Sequence, residues 1–546
     1  MNLRFIRLFI YSIGNLILDK IRKIYFTTKY YNNSLKITPP SRSYDMNNVP
    51  LLLELEDKNK KRFDLINRFQ KNIWKLDNLG KKHLSELHKF SWLSQIDIKN
   101  QKIMAKNIII EWLKKNQNFR EQTWHYRVTS SRLIFWICCS HFTIRNDDMV
   151  FRAALTNSII KQAIHLNKNL KFIHNKLDKI FVLTALILVS VTFEGNQKLF
   201  QITLKNLSNE LGKLIDRNGF VQSKNPEDQF WLLHHLVLVR EFLIFSQNTV
   251  PEFLDNNIQK VGSNFKSLIL SNNFLPLFNG AKSRDTTEFN KFLKAKNYKF
   301  DKKVKSHSYL SAKIKKYEII LDANDPPSDL NSQNYQAGCL SFEFIYNGTK
   351  IISNCGSAYN FSGDLPYLSQ TTAAHSTLTI NDTSSCLFQK NSLIRRFYGN
   401  SLVQKLKVYK KDLNTDKDTI SIISGHNGYQ KKYNALYERK ILISEHENKL
   451  TGEELVIVAK KDLAFLNFSL RFHIVPDGKL IQTQGGDILI SVDNQGWKFR
   501  SSHNAKIEES LHFSSYEKIE ESKCILVEGT LKDKINNINW ILEKAI

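Results

Sequence analysis

The chain has 546 residues, more than one hydrophobic core usually holds, so it predicts two domains and excludes a small disulfide-stapled module. Its formal net charge of +27 favours an anionic partner, such as a nucleic acid, an anionic membrane or an acidic polysaccharide, although a solvated lysine-rich surface would give the same charge. The cysteines show no CxxC spacing, which indicates neither a zinc ribbon nor a disulfide framework.

Residues 1–50 open with a basic amphipathic segment. Its uncharged run from Leu8 to Leu18 is too short to span a bilayer as a helix. At helical spacing the segment predicts a helix that either packs on the next domain or lies on a membrane surface, and a divergent signal peptide is the third interpretation. A second apolar run, Val182 to Phe193, is also too short to span and predicts a buried helix. We therefore expect no transmembrane segment.

Residues 51–285 show helical periodicity. Apolar side chains recur at intervals of three and four, and glycine is scarce. Examples are Phe63, Ile66, Phe69 and Ile73, and later Ile109, Trp112 and Leu113. Successive amphipathic helices with short connections predict a helical toroid or solenoid.

Strand-like alternation replaces helical periodicity after a polar, lysine-rich stretch, residues 286–305, that predicts a linker. The alternating residues 338–346, the Asn347-Gly348 turn and Ile351–Ser353 predict a hairpin. Further strands are predicted at Ile420–Ile423, Lys440–Ser444, Glu454–Val458, Asn467–Ile474, Ile488–Val492 and Trp497–Ser501. Residues 306–546 therefore predict a large antiparallel β-sandwich.

The segment Ala374-His375-Ser376-Thr377-Leu378 places a histidine on a predicted strand that runs into an Asn-Asp-Thr-Ser turn. An all-helical domain followed by a sandwich with this segment resembles the heparinase II/III-like polysaccharide lyases, in a bacterial branch separate from the well-studied enzymes. Other matching stretches are Asn218–Pro226, Leu275–Gly280, Leu340–Phe344, His426–Tyr429, Arg471–His473 and Gly496–Arg500. The resemblance implies an N-terminal (α/α) toroid followed by a large antiparallel β-sandwich.

The chemistry that the resemblance implies is β-elimination at a uronic acid in an anionic polysaccharide. A base removes the C5 proton, a polar group neutralises the carboxylate, and an acid protonates the leaving glycosidic oxygen. His375 is the candidate catalytic histidine, and Asn225 is the candidate to hold the uronate carboxyl group. The alternatives are a histidine that only hydrogen-bonds within the sandwich and an Asn225-Pro226 pair that only caps a helix.

One departure from the family pattern affects the predicted activity. Active lyases of the family commonly have a tyrosine-histidine pair shortly after such a proline, where this chain has Asp228 and Gln229. Tyr126 and Tyr309 are alternative phenols, and no sequence argument selects either one. A second interpretation is therefore a catalytically inactive glycan-binding or envelope polysaccharide assembly protein on the same fold.

Further predictions concern substrate contacts, a metal, partners and location. Trp124, Arg127, Arg132 and Lys224 are candidate substrate-binding residues, because aromatic faces suit sugar rings and cations suit carboxylates or sulfates. The resemblance implies no required cofactor, but His426 and His473 correspond to places near a structural zinc in some family members. Histidines that only hydrogen-bond within the sheets are the alternative.

A nucleic-acid partner is not expected, since charge alone supports it. The cell envelope or periplasm is the expected location, with peripheral membrane contact through the N-terminal helix, and the cytoplasm is the alternative.

Overall fold

The computed structural model of the chain describes residues 3–36, 40, 42–44, 73–75, 81–301, 309–400, 402–459, 466–516 and 518–545. The chain divides into two compact units. The helical unit comprises Met1–Asn218, Trp231–Val261 and Glu288–Lys299, and the sandwich unit comprises Gly219–Phe230, Gly262–Thr287 and Phe300–Ile546. The backbone passes from one unit to the other after residues 218, 230, 261, 287 and 299.

The helical unit is built from successive helices, as the apolar spacing predicts. Their bounds are Leu3–Thr27, Lys29–Ser34, Lys81–Leu87, Ile98–Asn116, Tyr126–Cys138, Met149–Asn169, Lys176–Thr192, Gln197–Leu214, Pro226–Phe245, Glu252–Leu268 and Thr287–Ala295, and the two helices that begin at 226 and 252 are shared with the sandwich unit. Of the residues that suggested the first helices, Phe63, Ile66 and Phe69 lie outside the described residues.

The helix Lys176–Thr192 forms the centre of the helical unit. Nearly all of its side chains are buried, and it packs against Tyr126–Cys138 and Gln197–Leu214. The Asn175 side chain accepts a hydrogen bond from the backbone nitrogen of Asp178 and so caps the helix. The buried helix predicted from the run Val182 to Phe193 is confirmed. No helix in the described part of the chain is long and apolar enough to cross a membrane.

The sandwich unit contains sixteen described strands, which join in two sheets. They are β1 Tyr309–Ile314, β2 Tyr317–Asp322, β3 Phe342–Tyr346, β4 Thr349–Ser353, β5 Leu378–Ile380, β6 Val408–Thr415, β7 Thr419–His426, β8 Ala435–Ser444, β9 Lys449–Val458, β10 Asn467–Ile474, β11 Lys479–Gln482, β12 Ile488–Val492, β13 Gln495–Ser501, β14 Asn504–His512, β15 Glu520–Thr530 and β16 Ile535–Lys544. The first sheet has the order β1-β2-β3-β4-β10-β15-β14 with β5 beside β10, and the second has the order β11-β12-β13-β16-β9-β8-β7-β6.

Every described strand pairing is antiparallel, and the two sheets share one hydrophobic core. The ring of Phe342 in the first sheet stacks on Trp540 in the second, with 5.9 Å between ring centroids. Between β3 and β4, Asn347 and Gly348 both have positive φ angles, as a two-residue hairpin turn requires. The predicted hairpin and the predicted β-sandwich are confirmed.

The structure departs from the predicted linker, residues 286–305. Thr287–Ala295 is a helix of the helical unit, because Phe289, Phe292 and Leu293 form a buried face beneath the exposed polar residues. Residues 302–305 of the predicted linker and the next three residues, 306–308, lie outside the described residues.

Residues 219–230 and 262–285, placed by sequence in the helical domain, cluster with the sandwich instead. The second of these segments is held there by hydrogen bonds from its backbone to glutamates of the first sheet. The backbone nitrogen of Ser271 donates to Glu318 Oε2 at 2.8 Å, and that of Leu277 donates to Glu343 Oε1 at 3.1 Å.

Candidate functional site

The centre of the candidate site is the loop Asn279–Arg284 of the sandwich unit, which we call the 279–284 loop. Gly280 has a φ angle of +96°, and its backbone nitrogen donates to Gln336 Oε1 at 2.9 Å. A Cβ atom at this position would lie 2.5 Å from the Cβ atom of Asn334. Only glycine satisfies both the backbone angle and this close approach.

Asn225 lies against this loop and caps the helix Pro226–Phe245. Its Oδ1 atom accepts hydrogen bonds from the backbone nitrogens of Glu227 at 2.7 Å and Asp228 at 3.4 Å. Its Nδ2 atom faces the 279–284 loop, 3.2 Å from where a Cβ atom at Gly280 would stand. Capping the helix therefore uses the Oδ1 acceptor of the Asn225 amide. The Nδ2 donor, which is the atom suited to bind a carboxylate, is directed toward the loop.

Lys224 contributes its backbone as well as its charge. Its φ angle is +61°, and its carbonyl oxygen accepts hydrogen bonds from the Tyr309 hydroxyl and from Asn279 Nδ2. Its ammonium nitrogen lies 5.4 Å from the ring centroid of Phe220. The lysine that the sequence assigns to substrate is thus held beside the 279–284 loop by its main chain.

A buried ionic group stands at the other end of the loop. Arg284 Nη2 lies 3.0 Å from Glu227 Oε1, and the Tyr516 hydroxyl donates to the same oxygen. The backbone nitrogen of Lys282 donates to Glu227 Oε2 at 3.2 Å. Burial and the neighbouring Glu227 carboxylate raise the pKa of Tyr516 well above its usual value, so the phenol keeps its proton.

The Lys282 side chain is buried in the same place. Its ammonium group donates to the carbonyl oxygens of Phe513 at 2.8 Å and Ser515 at 3.0 Å. The rings of Tyr359, Phe361 and Tyr516 have their centroids 5.6, 5.1 and 5.8 Å from it. The Lys282 ammonium is therefore held by carbonyl oxygens and aromatic rings, while Arg284 pairs with the Glu227 carboxylate.

His375 is buried, with 1% of its surface exposed. It does not lie on a strand as the sequence predicts, because the chain makes a 3₁₀ turn at Thr372–Ala374 and reaches β5 only at Leu378. Its Nδ1 atom pairs with the Thr371 carbonyl oxygen at 2.8 Å, which requires the proton to be on Nδ1. Nε2 then carries the lone pair, and this atom has no hydrogen-bond partner among the described residues.

Burial keeps the imidazole of His375 neutral. It lowers the pKa of His375 to about 4, although the hydrogen bond to the Thr371 carbonyl opposes the shift. The ring is therefore neutral near pH 7, as a proton acceptor must be. Gly338 borders it closely, since a Cβ atom there would lie 2.5 Å from His375 Cδ2.

Ser376, the residue after His375, forms hydrogen bonds with residues of both sheets. Ser376 donates from its backbone nitrogen to Asn354 Oδ1 at 3.0 Å and from its hydroxyl to the Ser353 carbonyl at 2.6 Å. Its own carbonyl oxygen accepts from Arg439 Nη1 at 2.7 Å. Arg439 is fully buried and pairs with the equally buried Glu454 at 2.9 Å. These contacts immobilise the backbone that carries the imidazole.

Tyr309 and Tyr126, the alternative phenols that the sequence offers, both donate hydrogen bonds. Tyr309 donates to the Lys224 carbonyl, and burial together with Asp322 raises its pKa well above the usual value. Tyr126, in the helical unit, donates to Asp178 Oδ2 at 3.2 Å, and burial together with Asp178 raises its pKa. A phenol in this state can give a proton but is a poor base.

Asp228 and Gln229, which replace the expected tyrosine-histidine pair, hold the preceding loop. Asp228 Oδ2 accepts from the Ser223 hydroxyl at 2.7 Å. Gln229 accepts from the Val221 backbone nitrogen at 2.9 Å and donates to the Gly219 carbonyl at 3.0 Å. Both side chains therefore shape the turn that leads to Lys224 and Asn225.

The three predicted substrate-binding residues of the helical unit differ in exposure. Trp124 is buried and donates to the Asn116 carbonyl at 3.2 Å. Arg132 is also buried, donates to Gln162 Oε1, and lies 4.3 Å from a ring of Trp112. These two side chains stabilise the helical unit from within. Arg127 alone among the three is exposed, with 51% of its side chain accessible beside Asp178.

The predicted zinc ligands do not come together as a site. His426 lies in β7 of the second sheet, where Nδ1 accepts from the Gly428 backbone nitrogen at 3.1 Å. His473 lies in β10 of the first sheet, where Nε2 donates to the Ala373 carbonyl at 2.9 Å. In the described ranges no three or more His, Cys, Asp or Glu side chains are placed to hold a metal ion. The residues present do not fit the zinc site that the resemblance implies.

The sequence analysis missed four residues of this site: Glu227, Lys282, Arg284 and Tyr516. The first three lie beside stretches that match the family, but nothing in local spacing pairs them. Glu227 and Arg284 are 57 positions apart, and Glu227 and Tyr516 are 289 apart. A lysine and an arginine two positions apart directly after Gly280 were the available signal.

Comparison with known proteins agrees with the fold. Residues 285–541 match the family model "Heparinase II/III-like, C-terminal". A curated relative, FtsZ-localized protein C of Caulobacter vibrioides, is 21% identical over 477 residues, which are 84% of this chain and 81% of that protein. The crystal structure of heparinase III is similar with a TM-score of 0.67 at 12% identity, covering 94% of this chain and 89% of that one. Heparan sulfate lyase HepC from Pedobacter heparinus gives a TM-score of 0.61 at 13% identity, covering 94% and 87%.

Proposed function

We propose that this chain, whose residues 285–541 match the heparinase II/III-like C-terminal family model, cleaves an anionic, uronate-containing polysaccharide by β-elimination. The observation that carries the proposal is the state of His375. Its imidazole is neutral, its tautomer is set by the Thr371 carbonyl, and Nε2 has no hydrogen-bond partner among the described residues. This is the state that a general base requires before it accepts a carbon-bound proton.

The reaction would proceed with one base, one acid and a neutralised carboxylate. His375 Nε2 takes the C5 proton, the electron pair forms the C4–C5 double bond, and the bond from C4 to the glycosidic oxygen breaks. A donor then protonates that oxygen. Tyr516 is the phenol we propose for this step, because it keeps its proton near pH 7 and lies in the same ionic group as Arg284.

The 279–284 loop supplies the charge that such a substrate needs. Removal of the C5 proton develops negative charge on the carboxylate, and nearby fixed donors lower the energy of that state. Lys282 and Arg284 belong to the loop, the Nδ2 end of Asn225 lies against it, and the Glu227 carboxylate pairs with Arg284. The net charge of +27 would also steer an acidic chain toward the protein, more strongly at low salt.

The test is the ultraviolet absorbance of unsaturated uronates. The purified protein is incubated with heparan sulfate, chondroitin sulfate, hyaluronan, alginate and bacterial capsular polymers, beside the variants His375→Ala and His375→Gln. Since His446 is exposed, His446→Gln is the matched control. We expect product from at least one polymer, loss in both His375 variants and no change in the control. Product formation that survives both His375 variants would refute the assignment of the base.

A second candidate function is binding of an anionic glycan without cleavage. It is favoured by Asp228 and Gln229, which hold a loop where active lyases have a tyrosine-histidine pair. In that case no polymer gives an absorbance rise, but at least one binds, and binding weakens as salt is added. Arg284→Gln should reduce that binding, whereas His375→Gln should leave it close to wild type.

For the site of action we propose the cell envelope, where such polymers occur. The Caulobacter relative is named for localisation with FtsZ, and this name favours the cytoplasmic alternative for the present chain. A fluorescent fusion examined by microscopy, together with protease accessibility in cells with a permeabilised outer membrane, distinguishes the two locations.

A further inference from the structure

The helix Leu3–Thr27 has two different faces. On the inner face, Phe5 and Ser12 are buried, and Phe26 packs near Tyr31 and Trp124 in a small cluster of the helical unit. Phe26 and Tyr31 have ring centroids 4.7 Å apart. The helix is therefore fixed on the helical unit along one side, which leaves its other side available for a different contact.

The outer face is an exposed apolar stripe. Six aliphatic side chains form it: Leu3, Ile10, Ile13, Ile17, Ile21 and Ile24. At the rotation of an α-helix, roughly 100° for each residue, these six fall within an arc of about 80°. Leu3 is 84% exposed and Ile24 is 69% exposed, so the stripe is open at both ends of the helix. Isolated exposed aliphatic residues are ordinary, but a row over about six turns indicates a binding surface.

Basic residues border the stripe on both sides. By the same rotation, Arg7 and Arg4 follow Leu3 on one side, and Lys20 adjoins Ile13 on the other. All three are exposed. The one acidic residue of the helix, Asp19, lies toward the inner face and forms a salt bridge with Arg22. The exposed half of the helix thus combines aliphatic and cationic groups without a carboxylate.

We propose that this stripe binds the helix flat on the surface of a bilayer that contains anionic lipid. The aliphatic row would enter the boundary between headgroups and acyl chains, while Arg4, Arg7 and Lys20 remain at the level of the lipid phosphates. The inner face keeps its contacts with the helical unit, so the whole protein is carried to the membrane. This surface shares no residue with the 279–284 loop, and the inference does not depend on the proposed lyase activity.

The charge pattern favours a lipid surface over a second copy of the chain. In a symmetric pair the same stripe would face itself, and its basic borders would stand against basic borders. An anionic bilayer instead offers opposite charge on both sides of the apolar row. The pattern therefore selects the membrane as the occupant.

The experiment is sedimentation of the full-length protein with vesicles. One set contains phosphatidylglycerol mixed with phosphatidylcholine, and the other contains phosphatidylcholine alone. We expect binding to the anionic vesicles that decreases with added salt and is at least about fivefold weaker on the neutral ones. The double variant Ile17→Asp and Ile21→Asp should reduce binding at least about tenfold, because both side chains leave the acyl boundary.

Two further variants make the result specific. Ile103→Asp with Val150→Asp is the matched control, since these aliphatic residues are 77% and 81% exposed elsewhere on the helical unit. This control should bind as wild type does. Arg4→Glu with Arg7→Glu should lose the preference for anionic vesicles. Circular dichroism melting of each variant shows that the fold is retained.

The proposal is overturned if the wild-type protein does not sediment with anionic vesicles, or if the Ile17/Ile21 variant sediments as strongly as wild type. It is also overturned if that variant changes only the oligomeric state in size-exclusion chromatography, because the stripe would then be a contact between copies of the chain.

Discussion

Arg439 donates from Nη1 to the carbonyl oxygen of Ser376 at 2.7 Å, so the second sheet directly holds the residue that follows His375. The same guanidinium donates from Nε to both oxygens of Glu454 at 2.9 Å. Tyr437 and Trp540 donate to Glu454 as well, at 2.7 and 2.8 Å. This buried network connects the interior of the sandwich to the backbone of the candidate base.

Arg439→Met tests the network. The substitution leaves Glu454 charged and buried without its cation, so we expect the free energy of unfolding to fall by about 3–5 kcal/mol. Urea denaturation monitored by circular dichroism measures the change. Lys440→Met is the matched control, because its side chain is half exposed and pairs with Glu453 only at 3.9 Å; it should change stability little. A loss below about 1 kcal/mol in Arg439→Met would contradict the role given to the pair.

Gly338→Ala tests the position of the His375 ring. The added methyl group would lie 2.5 Å from His375 Cδ2, so the ring must move or rotate. Given lyase activity, we expect kcat to fall at least about tenfold, since small displacements of a base impair proton transfer. Gly212→Ala in the helix Gln197–Leu214 is the control; no atom lies within 4 Å of the added group, and it should raise stability by about 0.5–1 kcal/mol. Unchanged kcat in Gly338→Ala would show that the ring position is not needed.

Asn225→Asp separates the two roles of this residue. Aspartate caps a helix as well as asparagine does, so thermal stability should stay near wild type, whereas Asn225→Ala should lose about 1 kcal/mol. If Nδ2 holds a uronate, the new carboxylate repels it, and cleavage or binding should fall at least about tenfold. A protein with Asn225→Asp that is as active as wild type would leave Asn225 only its capping role.

Stability should decrease in acid because several buried histidines are neutral in the folded protein. Burial, the largest cause at each, lowers the pKa of His88, His165, His375, His426, His473 and His512 to about 3 or 4. Their contribution is complete above the unfolded value of about 6.5 and is lost as the pH falls toward the folded values. Each histidine contributes a slope of up to about 1.4 kcal/mol per pH unit in this window.

Chemical denaturation at pH 7 and pH 5 measures this effect, and His512→Phe tests its origin. Neither ring nitrogen of His512 has a hydrogen-bond partner among the described residues, so phenylalanine removes a titrating group at little cost in hydrogen bonds. The variant should show a shallower dependence of stability on pH. An identical slope in both proteins would exclude His512 as a contributor.

The strands were predictable because alternation records which face is buried. Asn467–Ile474 and Ile488–Val492 were predicted with the bounds of β10 and β12, since each has a regular apolar face toward the core. The helix Thr287–Ala295 was missed because its lysines and polar residues hide three buried apolar positions in a short segment. Short helices with mostly polar composition give a weak periodic signal.

The candidate site was only partly predictable, because its contacts join distant positions. His375 and Asn225 are candidates on the basis of the family pattern alone. The Arg439–Glu454 pair depends on the register of β8 with β9, and single-sequence patterns do not fix register. The location of Glu227 beside Arg284 and Tyr516 depends on how loops fold back on the first sheet, which local periodicity does not record.

Because the backbone passes repeatedly between the two units, cutting the gene near residue 300 would not separate them. A gene fragment that encodes residues 306–546 would carry the sheets and His375 but leave behind Asn225, Glu227, Lys282 and Arg284. Recombination at the apparent domain boundary would therefore exchange the two sheets without these four residues of the candidate site. The sandwich unit includes residues 219–230 and 262–287, so a fragment meant to carry that whole unit must begin before residue 219 rather than near residue 300.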